Sequence, residues 1–218
     1  MKEGHIKPDT EFGRAIRDVI LQYPPERVVE TGTHVGLGST LSILKSLMEL
    51  EHKTYLTSIE ISPVNYREAW NNLRTFLMHP KIELSLRLGC SLSEEVLPTK
   101  DQLDEMLEKA RMFRFKGIKR TYFNVVNAKV ADFNLLAKAL HQGADIILLD
   151  SAGHLGFLEF MCVMNTLANK EFILMLDDIY IVKHSSSVAI IANDPRFTVL
   201  RHGSERSGYC IVKYNPGA

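Results

Sequence analysis

The chain is 218 residues long and 45% hydrophobic, enough to close a full core around one domain. Lysine plus arginine and aspartate plus glutamate each number 26, and a net charge of zero leaves no electrostatic case for a nucleic-acid or membrane-surface partner. Cys90, Cys162 and Cys210 are too few and too scattered for a disulfide frame or a zinc site. No apolar leader or membrane-length run interrupts the sequence, so the expectation is a cytoplasmic protein with reduced thiols.

Taken in order, Phe12, Ala15, Ile16, Val19 and Ile20 have helical spacing, and Tyr23-Pro24-Pro25 ends that helix. Val28-Val29 then begin a strand that closes on Glu30. A turn with Gly32, Gly36 and Gly38 follows, after which Ser39-Thr40 open a helix carrying Leu41, Ile43, Leu44, Leu47, Met48 and Leu50. Glycines suit a tight turn or a close approach of backbone to ligand. The helix start just beyond offers free N–H groups and a positive dipole end. The dinucleotide pattern G-x-G-x-x-G fails here, because its third glycine falls on Leu41.

A second strand over 54–59 closes on Glu60, with Ser62 as N-cap and Pro63 as first residue of a helix reaching about Leu77. An acid at that strand end is placed to grip both hydroxyls of a ribose. A third strand, 81–88, alternates with period two and leads into Gly89-Cys90-Ser91 and a short helix at 94–97. From 98 to 143 the chain departs from a minimal doubly wound plan. It has a polar helical stretch at 101–113 and a second helix over 128–141. Between them lies a basic patch interleaved with Phe113, Phe115, Tyr122 and Phe123. This segment is expected to form a lid on the acceptor side.

Two nearly unbroken apolar runs, 145–149 and 172–176, read as strands buried on both faces. The first ends in Asp150 and is followed by a helix over 155–168; the second ends in Asp177-Asp178. Neighbouring parallel strands would thus bring three carboxylates to one rim, where only a cation relieves their repulsion and desolvation. An all-oxygen set suits Mg²⁺ or another divalent ion. A helix over 182–192 and two strands, 197–201 and 209–214, complete the chain.

The stretch Glu30-Thr31-Gly32-Thr33-His34-Val35-Gly36-Leu37-Gly38, an E-x-G-x-x-x-G-x-G pattern, resembles motif I of the class I S-adenosylmethionine-dependent methyltransferases. Asp150, Asp177 and Asp178, with SIEISP and Gly-Cys-Ser, are similar to the divalent-metal-dependent O-methyltransferases of the catechol, caffeoyl-CoA and macrolide-sugar types. The resemblance implies an α/β fold: a doubly wound, mostly parallel seven-stranded sheet with an antiparallel C-terminal hairpin, in one domain over 1–218. It implies Mg²⁺-assisted methyl transfer to a hydroxyl of a small molecule. Cofactor binding would fall to Glu30, Gly32, Thr33, Gly36, Gly38, Ser39, Glu60, Ile61, Cys90, Ser91 and Asp150, and metal binding to Asp150, Asp177 and Asp178. Asp178 stands where many relatives have Asn. The lysine base of the catechol type is replaced by Gly153, so His154 is the candidate base beside Asp150, as in the sugar-modifying relatives. A metal-independent O- or N-methyltransferase, an NAD-dependent oxidoreductase and an idle cofactor-binding module stay open, as does a homodimer.

Overall fold

The computed structural model describes residues 6–97, 99, 101–102, 104–105, 132–151 and 155–218. Seven strands form one sheet: β1 Arg27–Thr31, β2 Thr54–Glu60, β3 Ile82–Leu88, β4 Ile146–Leu149, β5 Phe172–Asp177, β6 Phe197–Gly203 and β7 Tyr209–Tyr214. Their order is β3-β2-β1-β4-β5-β7-β6. The first five are parallel, and β7 enters antiparallel between β5 and β6. The terminal hairpin is therefore the one expected, with its second strand innermost.

Strand periodicity explains how the sheet is covered, since successive side chains point to opposite faces. Val28, Ile146, Leu148, Ile173 and Met175 pack on one face against α1 (Glu11–Gln22), α2 (Ser39–Leu47) and α3 (Pro63–Asn72). Their neighbours Val29, Ile147, Leu149, Leu174 and Leu176 pack on the other against α4 (Leu135–His141), α5 (Leu155–Leu167) and α6 (Ser185–Asn193). Both faces of β4 and β5 are thus dry, which is why these strands read as continuous apolar runs. Among the described residues no helix is long and apolar enough to cross a membrane.

The Ser62 cap falls where the sequence puts it, and the structure adds one at Thr10. Thr10 Oγ1 accepts from Gly13 N at 3.1 Å to start α1, and Ser62 Oγ accepts from Asn65 N at 3.3 Å to start α3 ahead of Pro63.

Three helix bounds differ from expectation. α3 stops at Asn72, and a separate 3₁₀ turn, Phe76–Met78, carries the chain toward β3. α4 starts only at Leu135, because Asn134 sits in the left-handed region (φ 61°) and interrupts any helix running into it. Residues 132–134 instead bond to the turn after β3, through Cys90 N to Asp132 O and Asn134 N to Leu92 O, both 2.9 Å. α6 starts at Ser185, with 181–184 in turns. α4 carries fully buried Leu136 and Leu140 against the sheet, so the end of the expected 98–143 lid is a core helix. Most of the rest of that segment, including its basic and aromatic patch at 111–123, lies outside the described residues.

Candidate active site

The carboxyl ends of β1, β2, β4 and β5 open into one cleft of about 320 Å³, within the usual size of a small-molecule site. At its centre the chain leaves β1 through Gly32, whose φ of +89° is a conformation that L side chains rarely adopt. A Cβ there would stand 2.3 Å from the carbonyl oxygen of Asp150, so glycine alone lets the β1 loop cross the end of β4. Gly32 N and Thr33 N both donate to Ile59 O, at 2.9 and 3.2 Å, which pins the loop to the end of β2. Gly38 and Ser39, at the start of α2, line the same cleft. Gly36 does not: it faces Leu73 and Ala69 at the end of α3.

Glu30 is fully buried and lies behind the loop, outside the lining. Its carboxylate accepts from Ser39 Oγ at 2.5 Å, Thr40 Oγ1 at 2.6 Å and Ser58 Oγ at 2.6 Å. Burial pushes its pKa up, and the three hydroxyls pull against that. The acid at the end of β1 thus fastens the first turn of α2 to β2, and it shapes the cleft without lining it.

Glu60 does line the cleft, beside Ile61 and Asn65. Its Oε2 accepts from His34 N at 2.6 Å and its Oε1 from Ser62 N at 2.7 Å. Burial raises its pKa, and the Ser62 and His34 N–H groups, then the Asn65 side chain and Ile61 N–H, pull against that. Each oxygen keeps a further lone pair, so the carboxylate can still accept from a ligand.

Cys90 and Ser91 line the cleft after β3. Burial raises the Cys90 thiol's pKa, which disfavours the thiolate. Ser91 Oγ donates to Glu159 Oε1 at 2.5 Å, and Thr31 Oγ1 donates to Glu159 Oε2 at 2.9 Å. Glu159 comes from α5, is fully buried, and has its pKa raised by burial. It ties the ends of β1 and β3 together under the cleft.

Asp150, Asp177 and Asp178 meet at the far end, with one ligand atom from each lying within 4.8 Å of the others. Burial first, then the charge of Asp150, pushes Asp177 up to about 8. A residue absent from the expected set stands with them. Lys183 Nζ lies 2.6 Å from Asp150 Oδ1 and 3.3 Å from Asp178 Oδ2, and the side chain is only 3% exposed. Burial alone would lower its pKa, but Asp150, Asp178 and Asp177 outweigh it and the ammonium is held charged. Arg206, from the β6–β7 turn, also lines this end. His154 and Gly153 lie outside the described residues.

Sequence reasoning therefore placed Gly32, Thr33, Gly38, Ser39, Glu60, Ile61, Cys90, Ser91, Asp150, Asp177 and Asp178 on one cleft, and the structure brings them together. It missed Lys183 and Glu159. Each carried a signal: an acid within the apolar stretch LGFLEFMCVM, and a lysine within the apolar turn DDIYIVKH, five residues after Asp178.

No model of a known protein family matches the chain, and no curated protein matches it in sequence. Among solved structures it is similar to an O-methyltransferase from Bacillus cereus in complex with SAH, with a TM-score of 0.57 and 13% identity over 98% of this chain and 84% of that one. A putative caffeoyl-CoA O-methyltransferase from Staphylococcus aureus matches with a TM-score of 0.55 and 15% identity, over 95% and 84% of the two chains. A methyltransferase from Geobacter sulfurreducens matches with a TM-score of 0.57 and 12% identity, over 95% and 80%. At these identities the likeness is one of fold: the chain has the seven-stranded fold of these methyltransferases.

Proposed function

We propose that the chain is an S-adenosylmethionine-dependent O-methyltransferase that acts on a hydroxyl of a small molecule. The observation that carries this is the convergence on one cleft of the Gly32 loop, the start of α2, Glu60 and the acidic end of β4 and β5. When bound, S-adenosylmethionine supplies an activated methyl group: the acceptor oxygen forms the new C–O bond as the C–S bond breaks, and S-adenosylhomocysteine remains.

Glu60 accepts from the two ribose hydroxyls with the lone pairs that His34 N and Ser62 N leave open. The Gly32 loop and Ser39 take the methionine side, and Cys90 and Ser91 the adenine side. The acidic end takes the acceptor, orienting its oxygen for in-line attack. Asp150 stands at that end, and His154, four residues on, is the proton acceptor the sequence offers.

The finer expectation, Mg²⁺ on Asp150, Asp177 and Asp178, has the right donor chemistry, three oxygen-bearing side chains at short mutual range. The arrangement does not leave that place free, since a buried ammonium already lies against two of the three. The terminal hairpin and Leu41 argue against the oxidoreductase alternative. Incubation with methyl-labelled S-adenosylmethionine and a panel of phenols, catechols and sugars tests the proposal: label should appear in an ether of one acceptor class. Tight S-adenosylhomocysteine binding with no transfer to any acceptor would favour the idle cofactor-binding module.

A further inference from the structure

The geometry points to Lys183 as the resident cation of the acid rim: its ammonium stands in for a divalent metal and keeps one out. This deepens the transferase proposal by naming what neutralises its acceptor end. It rests on three observations about how Lys183 is held.

The first is the contact itself. Nζ is 2.6 Å from Asp150 Oδ1 and 3.3 Å from Asp178 Oδ2, so two of its three N–H groups are taken by the carboxylates that would ligate a metal. No third partner exists among the described residues, which leaves one donor to give to a ligand oxygen. Mg²⁺ would need those same oxygens at about 2.0–2.1 Å in near-octahedral order, a place the ammonium already holds.

The second is burial. At 3% exposure Lys183 keeps its charge out of water in the wall of the cleft, and moving it aside for a metal would break both carboxylate contacts. An ammonium that stayed beside a divalent ion would make a like-charge contact without compensation.

The third is that the fold is built around this side chain. Asp178 takes a left-handed conformation (φ 61°) directly after β5, and Ile179 N and Tyr180 N then bond to Gly208 O and Ser207 O of the terminal hairpin. That folds the turn back so that residue 183 returns to the rim. At the start of α5, a Cβ on Gly156 would lie 2.8 Å from Lys183 Cγ, so the lysine stem passes where only a glycine leaves room.

The test is a titration of the full chain with Mn²⁺, followed by the electron paramagnetic resonance of the free ion, with S-adenosylhomocysteine present and absent. The wild type should show no stoichiometric site in the micromolar range. Lys183→Met, which keeps the stem and removes the charge, should bind one Mn²⁺ roughly tenfold or more tightly than the wild type, as expected when a like charge is removed from beside the ion. The further change Asp177→Asn should abolish that gain. A stoichiometric micromolar Mn²⁺ site in the wild type overturns the inference, whether or not the variant folds. So does a folded Lys183→Met protein that gains no Mn²⁺ affinity. Affinity for S-adenosylhomocysteine in the same samples tests the transferase proposal separately.

Discussion

His184 Nε2 lies 3.3 Å from the carbonyl oxygen of Leu149, the last residue of β4, and so ties the turn that carries Lys183 to the strand that precedes Asp150. A carbonyl can only accept, so Nε2 bears the proton, and Nδ1 is left to accept from Ser187 Oγ at 3.3 Å. The ring is fully buried. Burial, and then the neighbouring Lys183 charge, push its pKa down to about 3.

A pH dependence follows from that shift. The unfolded chain takes up a proton on this histidine near its ordinary pKa of about 6.5, whereas the folded chain refuses it until about 3. The stability His184 contributes is fully present above about 6.5 and is lost progressively as pH falls from there toward 3. Denaturant unfolding between neutrality and mild acid should show the wild type losing up to about 1.4 kcal/mol per pH unit more than His184→Gln. Equal slopes for the two proteins would mean the ring is protonated in the fold.

Gly156 sets a steric condition on the same turn. A methyl group there would lie 2.8 Å from both Lys183 Cγ and His184 Cε1, and both side chains are buried with nowhere to retreat. Gly156→Ala should therefore cost about 1–3 kcal/mol, as overpacking usually does. Thermal melting checks it, and an unchanged midpoint would show that the turn can slide off α5.

Glu30 predicts a different pattern. Removing its carboxylate in Glu30→Ala takes the side-chain partner from the buried hydroxyls of Ser39 and Thr40, and leaves Ser58 with Thr33 alone among the described residues. The cost should be about 1–3 kcal/mol of stability for lost buried partners, with S-adenosylhomocysteine affinity falling only through the loosened start of α2. A direct cofactor ligand would behave the other way, with affinity lost and melting unchanged.

Most of the frame was legible because it depends on local pattern. The dry strands β4 and β5 announce themselves as apolar runs, Pro63 and Ser62 mark the start of α3, and the failed third glycine at Leu41 separates this loop from a dinucleotide one. The inward turn of Glu30 was not legible, since a strand-end acid reads alike whether it meets solvent or three hydroxyls. Glu159 joins partners 128 and 68 positions away, and nothing short-range records that pairing. Lys183 reaches Asp150 across 33 positions only because Asp178 turns left-handed and the hairpin folds the chain back. Three acids on one rim signal a cation; which cation serves depends on that backbone turn.

In the proposed function the cleft holds S-adenosylmethionine, with Glu60 on its ribose. Calorimetric titration of the full chain in EDTA with S-adenosylhomocysteine and with NAD tests it most directly. Saturable S-adenosylhomocysteine binding is expected, with no response to NAD, and Glu60→Ala should weaken it by about 1–3 kcal/mol, the cost of losing hydrogen bonds to a charged group. Saturable NAD binding with no heat from S-adenosylhomocysteine would contradict the account.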